Sequence, residues 1–174
     1  MTRTLLLLRH AKSSWDDPAL DDFDRPLAKR GREAAPRMAR EMARRSWLPD
    51  RALVSAALRT RQTWVLVEAE LPRTVPAVLD RSIYEAPAGR ILDAVRSTPA
   101  GAETLLVVGH NPGFEDLIAL LAAPDSTPDA MEKVRRKFPT AGLARLAFAG
   151  AWADLGPGGA RLTEFLTPRD GESR

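Results

Sequence analysis

The sequence contains no cysteine, which excludes disulfides, thiolate zinc sites and cysteine nucleophiles, and permits a reducing compartment without proving one. Other polar chemistry is nearly as sparse. The 174 residues hold two histidines, His10 and His110, and single copies of asparagine (Asn111), glutamine (Gln62) and tyrosine (Tyr84). Lysine is scarce as well, with four against 22 arginines among 26 basic residues. That imbalance, with abundant Ala and Pro, is what a GC-rich coding sequence gives. The net charge of +3 therefore reads as a solvated arginine-rich surface. No aromatic residues interleave with the arginines to stack on bases, so nucleic acid is not an expected partner. No apolar run approaches the ~18 residues of a membrane span. Leu5 to Leu8 is too short, and too quickly followed by charge, to be a signal-peptide core. These absences point to a cytoplasmic protein with no membrane partner. At this length the expectation is one domain, 1–174, burying about two-thirds of the surface of the unfolded chain.

What is present begins with "LLLLRHAKSSWDD". A run of leucines reads as a strand buried on both faces. A cation and an imidazole at its carboxyl end are costly unless they face a cleft. In open α/β sheets that cleft is where ligands bind. The first strand is expected over Thr4 to Leu8, followed by an acidic loop from Lys12 to Pro26 that covers the strand end. A helix follows over Leu27 to Trp47, with Pro36 forcing a kink or a late start. Ala52 to Ser55 reads as the second strand and Leu58 to Glu70 as a helix. Thr74 to Leu79 reads as a third strand, placed at a sheet edge by Pro76. Ala88 to Arg96 reads as a short helix, and Glu103 to Val108 as a fourth strand. Pro112 suits the first turn of a helix through Leu121, and Pro128 to Lys137 is a charged helix. Leu143 to Phe148 and Arg161 to Leu166 flank a Gly and Pro turn and read as a hairpin. Strand and helix in alternation, closed by a hairpin, imply an α/β fold: a three-layer sandwich with a mostly parallel sheet between helices.

Two of these strands stop on a histidine. If they are neighbours in the sheet, both imidazoles meet in one crevice. A single histidine at a strand end is more often structural or merely exposed than catalytic, but a pair in a chain with no others favours chemistry. Arg59 stands at a helix start, where positive partial charge makes a cation unfavourable unless an anion is near. Arg9, Arg59, His10 and His110 together would make a pocket of two permanent and two titratable positive charges. Guanidinium forks bind phosphoryl oxygens in bidentate fashion. No metal-ligand cluster and no nucleotide-binding glycine motif is visible, so no cofactor is expected. An imidazole is then the good nucleophile on offer, and the chemistry suggested is phosphoryl transfer through a phosphohistidine.

The motifs "RHAKSSWDD", "DFDRPLAKRGREAAP", "SAALRTRQT" and "VVGHNPGFEDL" resemble those of the histidine phosphatase superfamily. The triplet Arg9, His10 and Ala11, with alanine where the family pattern has glycine, is similar to the branch of SixA-type phosphohistidine phosphatases. The resemblance implies a phosphoglycerate-mutase-like fold. It implies His10 as nucleophile, Arg9 and Arg59 as phosphate-binding arginines and His110 as the second pocket histidine, best suited as a cationic donor. The two histidines should then have pKa values pushed apart. Glu85 matches the place of a general acid in the mutase-like branch, but it also reads as an exposed loop carboxylate. Ser13 matches a position that donates to phosphate, and Thr140 in "KFPTAG" is similar to a pocket-approaching loop. Asp16 stands where mutase relatives have asparagine, which would put an anion near the pocket. The expected substrate is a phosphorylated protein or a small phosphomonoester. A non-catalytic phosphate-binding module remains the rival from another class.

Overall fold

The leucine run sets the architecture. Leu5 and Leu7 face one apolar core and Leu6 and Leu8 face another, and all four are fully buried. Alternation along a strand sends successive side chains to opposite faces, so a strand apolar at every position must be covered twice. Each leucine removed from water in this way contributes about 2 kcal/mol.

The computed structural model describes residues 1–172. Its six strands are Thr2–Arg9 (β1), Arg51–Ser55 (β2), Ala77–Asp80 (β3), Thr104–Gly109 (β4), Leu143–Ala149 (β5) and Arg161–Leu166 (β6), in the sheet order β3-β2-β4-β1-β5-β6. The pairings among β1 to β4 are parallel, whereas β5 is antiparallel to both of its neighbours. The C-terminal hairpin is therefore present, and β3 lies at an edge as Pro76 implied.

Lys29–Arg44 (α1) and Leu58–Glu68 (α2) cover one face, where Met38, Met42, Trp64 and Val67 meet Leu6 and Leu8. Ala88–Arg96 (α3), Gly113–Leu121 (α4) and Pro128–Arg136 (α5) cover the other. Pro168–Glu172 (α6) closes the described chain. None of these helices is long and apolar enough to cross a membrane.

Most boundaries move by a residue or two from the sequence reading, and three differences have a clear local reason. α1 starts at Lys29, well before Pro36, which sits inside the helix; the apolar face around Met38 outweighs the missing backbone donor. α1 also stops short of Trp47, because Ser46 takes a left-handed conformation (φ 60°) and the Ser46 and Trp47 amides donate back to the Ala43 and Met42 carbonyls. That is the Schellman arrangement, which ends a helix by satisfying its last carbonyls. β3 begins only at Ala77, since Pro76 has no amide to give a ladder and contributes its carbonyl to Ala52 instead.

Candidate active site

Parallel register brings the chemistry together. Arg9 pairs with Gly109 across β1 and β4, so the next residue of each strand is a histidine. The two imidazole rings lie 5.4 Å apart between centroids. β2 runs on the other side of β4 and ends at Ser55, whose Oγ is 2.7 Å from His110 Nε2. Three adjacent strand ends thus supply Arg9 and His10, His110, and Ser55.

The turn after β1 is held rigidly. The Ala11 amide donates to Thr63 Oγ1 at 3.0 Å, and the Ala141 amide lies 3.1 and 3.0 Å from the Arg9 and His10 carbonyls. Gly31 in α1 lies so close that a Cβ there would stand 2.2 Å from the Lys12 carbonyl oxygen; only glycine permits that approach. Ala141, whose amide binds this turn, and Glu85, bonded to Arg59, both have positive φ, 61° and 50°. Such strain in non-glycine residues tends to gather at functional sites.

The tautomer of His10 follows from its partner. Nδ1 is 2.8 Å from the Ala11 carbonyl oxygen, which can only accept, so Nδ1 carries the proton and Nε2 keeps its lone pair. His110 Nδ1 lies 3.5 Å from an Arg59 amino group, which can only donate. Its Nε2–H then donates to Ser55. Burial pushes both imidazoles down to about 3, with Arg59 and Arg9 adding repulsion to each, and His10 lowering His110 further. The separation of pKa values expected from the sequence is therefore not found. Desolvation acts on both rings alike, and at His110 it outweighs the upward pull of Asp22.

Arg59 is 1% exposed and carries most of the site's charge contacts. It donates to the Asp22 carbonyl at 2.7 Å, to Asp22 Oδ2 at 2.9 Å and to Glu85 Oε1 at 2.8 Å. Glu85 Oε1 is also 3.7 Å from His110 Nδ1, so the carboxylate faces the pocket. The acidic loop does cover the strand ends, through a short 3-10 turn at Asp22–Asp24. Its contact is Asp22, whereas Asp16 is exposed. Partial burial raises the Asp22 carboxyl, but the Tyr84 hydroxyl and Arg59 together bring it down to about 2. Burial and the bond to Asp22 push the Tyr84 phenol up to about 12.

Ser13 and Thr140 are placed differently. Ser13 is buried, and its Oγ accepts from Arg25 at 2.9 Å. Thr140 lines a groove beside the site, next to Ala141. Sequence reasoning missed Arg25, Asp22 and Ser55 as site residues. Arg25 is buried, bonds Asp22 at 3.1 Å, and adds positive charge at His10. A lone arginine before proline in an otherwise acidic loop was its only sequence signal.

The depressed imidazoles predict acid lability. The unfolded chain takes up protons near 6.5 while the fold resists until about 3, so stability is full above pH 6.5 and is lost as pH falls toward 3. Each histidine contributes a slope of about 1.4 kcal/mol per pH unit in that window. The melting temperature should fall from pH 6.5 to 4.5, and less steeply in His110→Ala; an unchanged melting temperature across that window refutes the desolvation argument.

Residues 5–98 match the family model of the histidine phosphatase superfamily (branch 1), and the chain belongs to that superfamily. Within it, the chain resembles SixA-type phosphohistidine phosphatases. A candidate phosphohistidine phosphatase SixA from Nakamurella multipartitia shares 33% identity and a TM-score of 0.82, covering 97% of each chain. Its counterpart from Agrobacterium tumefaciens shares 30% identity and a TM-score of 0.78, covering 95% of this chain and 99% of that one. An uncharacterized protein of Mycobacterium tuberculosis strain H37Rv is 41% identical, over 93% of this chain and 100% of its own. Family and neighbours together support phosphatase activity.

Proposed function

We propose that this chain, as one histidine phosphatase domain over 1–174, is a metal-independent phosphatase that takes the phosphoryl group of a protein phosphohistidine onto His10 and passes it to water. The observation that carries this reading is the state of His10, neutral, with Nδ1–H held by the Ala11 carbonyl and Nε2 free. Nε2 attacks phosphorus as the bond to the substrate imidazole breaks, and that imidazole, protonated beforehand at its other ring nitrogen, leaves neutral with that proton. Water then attacks phosphorus and the bond to Nε2 breaks. Phosphate departs with the water's protons, and His10 returns to its starting tautomer.

Arg9, Arg59 and His110 hold the equatorial oxygens, where negative charge spreads in the transition state. The Nε–H groups of Arg9 and Arg59 are buried without a hydrogen-bond partner, a shortfall that an anion suits. A phosphoryl dianion also reverses the field at His110, so its protonation is coupled to substrate arrival. Ser13 acts on the substrate beside Arg25, and Thr140 lines the approach. The names borne by the Nakamurella and Agrobacterium proteins favour phosphohistidine as the substrate class.

A second reading, a small phosphomonoesterase, rests on Glu85. Its carboxyl group sits beside Arg59 and His110 and, in its protonated form, has a proton to give a leaving alkoxide. An imidazole leaves without such help. Glu85→Gln should therefore lower kcat/KM on alkyl phosphates by about a hundredfold and on a phosphohistidine protein by much less. The direct test follows a phosphohistidine-bearing protein and a panel of phosphomonoesters with chelator present, trapping the enzyme by rapid quench. Dephosphorylation with an acid-labile phosphoryl group on His10 is expected. Loss of activity in chelator overturns metal independence, and vanadate binding without turnover makes the chain a binding module.

A further inference from the structure

Beside the arginine and histidine site opens a groove of about 850 Å³. Among the described residues, seven of its lining side chains are Lys or Arg, against two carboxylates, Glu33 and Asp170. Part of this charge has a local explanation. Lys133 and Arg136 pair along α5 with Asp129 at 3.1 Å and Glu132 at 3.4 Å, and cations in the last turn of a helix suit its dipole. Arg30 has no such explanation. It stands in the first turn of α1, which holds no acidic residue and has no side-chain cap from Ala28. A cation there opposes the helix dipole, and an anion arriving there relieves the conflict.

The groove borders the turn that follows β1. Lys12, on its wall, lies two residues beyond His10, and its carbonyl accepts from Ala28 at the start of α1. Thr140, also on its wall, precedes the Ala141 amide that binds the Arg9 and His10 carbonyls. An occupant of the groove therefore lies beside the turn that carries His10. Among the described residues its only aromatic lining residue is Phe165, 3% exposed, so no ring is offered to a base, as single-stranded nucleic acid requires. The surface is concave, which a bilayer does not fit.

We infer that this groove docks an acidic protein segment, the one that carries the phosphorylated histidine, and holds it while the phosphoryl group enters the pocket. The inference rests on the phosphohistidine reading above and adds the chemistry of the partner. Lys12, Arg30, Lys137 and their neighbours meet its carboxylates at a solvated rim, where charge acts mainly on encounter and on salt dependence.

The test uses the full chain and the double variant Arg30→Glu/Lys137→Glu, both exposed positions outside the arginine and histidine site. Two phosphohistidine peptides of equal length serve as substrates, one flanked by glutamates and one by serine and glycine, with free phosphohistidine as a third. At low salt the glutamate-flanked peptide should show a kcat/KM roughly tenfold above the neutral one, through KM, and the gap should close at high salt. The double variant should lose that gap and keep its rate on free phosphohistidine. Equal rates on both peptides, or a gap that survives in the variant, overturn the groove and leave the phosphatase reading standing. If no substrate is turned over, the functional reading fails and the groove is judged by anisotropy of a labelled, unphosphorylated glutamate peptide. Saturable binding lost in the double variant then sustains it, and no binding overturns it. Tighter binding of labelled oligouridylate than of the peptide overturns it in favour of nucleic acid.

Discussion

His10→Ala should lower kcat/KM on every substrate by about four orders of magnitude or more, while the protein stays folded and still binds vanadate. The size follows from the absence of a substitute. Ser55 Oγ is fully buried and already bonded to His110. His110 gives Nε2 to that serine and turns Nδ1 toward Arg59, so neither of its nitrogens is presented as His10 Nε2 is. Loss of a nucleophile acting in concert with a phosphate clamp costs far more than loss of one oxygen contact. The structural effect is small by comparison. The substitution removes one bond to the Ala11 carbonyl, worth about 1 kcal/mol, and removes a buried group that resists protonation. The variant should accordingly melt over a flatter pH range than the wild type. Arg9 and Arg59 remain to hold an oxyanion. Substantial turnover by a correctly folded His10→Ala protein refutes the nucleophile assignment, whatever the substrate.

The sequence was most informative where burial leaves little choice. The leucines of β1 and the apolar run ending at Val108 had to lie in a doubly covered sheet, and their shared endings on histidine become meaningful once β1 and β4 prove adjacent and in register. Rarity helped in the same way: in a chain this poor in histidine and tyrosine, His10, His110 and Tyr84 could be singled out, and all three lie in one cluster. The missed residues share a physical reason. Asp22, Arg25 and Ser55 belong to abundant residue types, and their roles depend on long-range partners, such as the Asp22 contact with Arg59 across 37 residues. No periodicity records such a contact. The pKa values were misjudged for a related reason: the sequence displays charges, but it does not display how much water a fold removes from them.

Arg59→Ala carries the second large expected effect, a fall in kcat/KM of about a thousandfold, divided between a raised KM and a lowered kcat. The side chain is placed to contribute twice. In the proposed mechanism it holds the phosphoryl oxygens, and it stands between Asp22 and Glu85, donating to both carboxylates. Without it, two anions line a pocket that must admit a third. Arg59→Lys should recover only part of the loss, because one ammonium group cannot meet two carboxylates and a phosphoryl fork together. A purely structural role would lower activity equally at all pH values. The electrostatic role makes a different demand. Arg59 helps to push both His10 and His110 down to about 3, so its removal raises both imidazoles. In the wild type, His10 stays neutral and competent well into the acid range. In Arg59→Ala the acid limb of the kcat/KM profile should move up toward neutrality, since a protonated His10 has no lone pair with which to attack. A variant that loses activity with its acid limb unmoved would leave Arg59 as a scaffold for Asp22 and Glu85, and would return the control of His10 to burial alone.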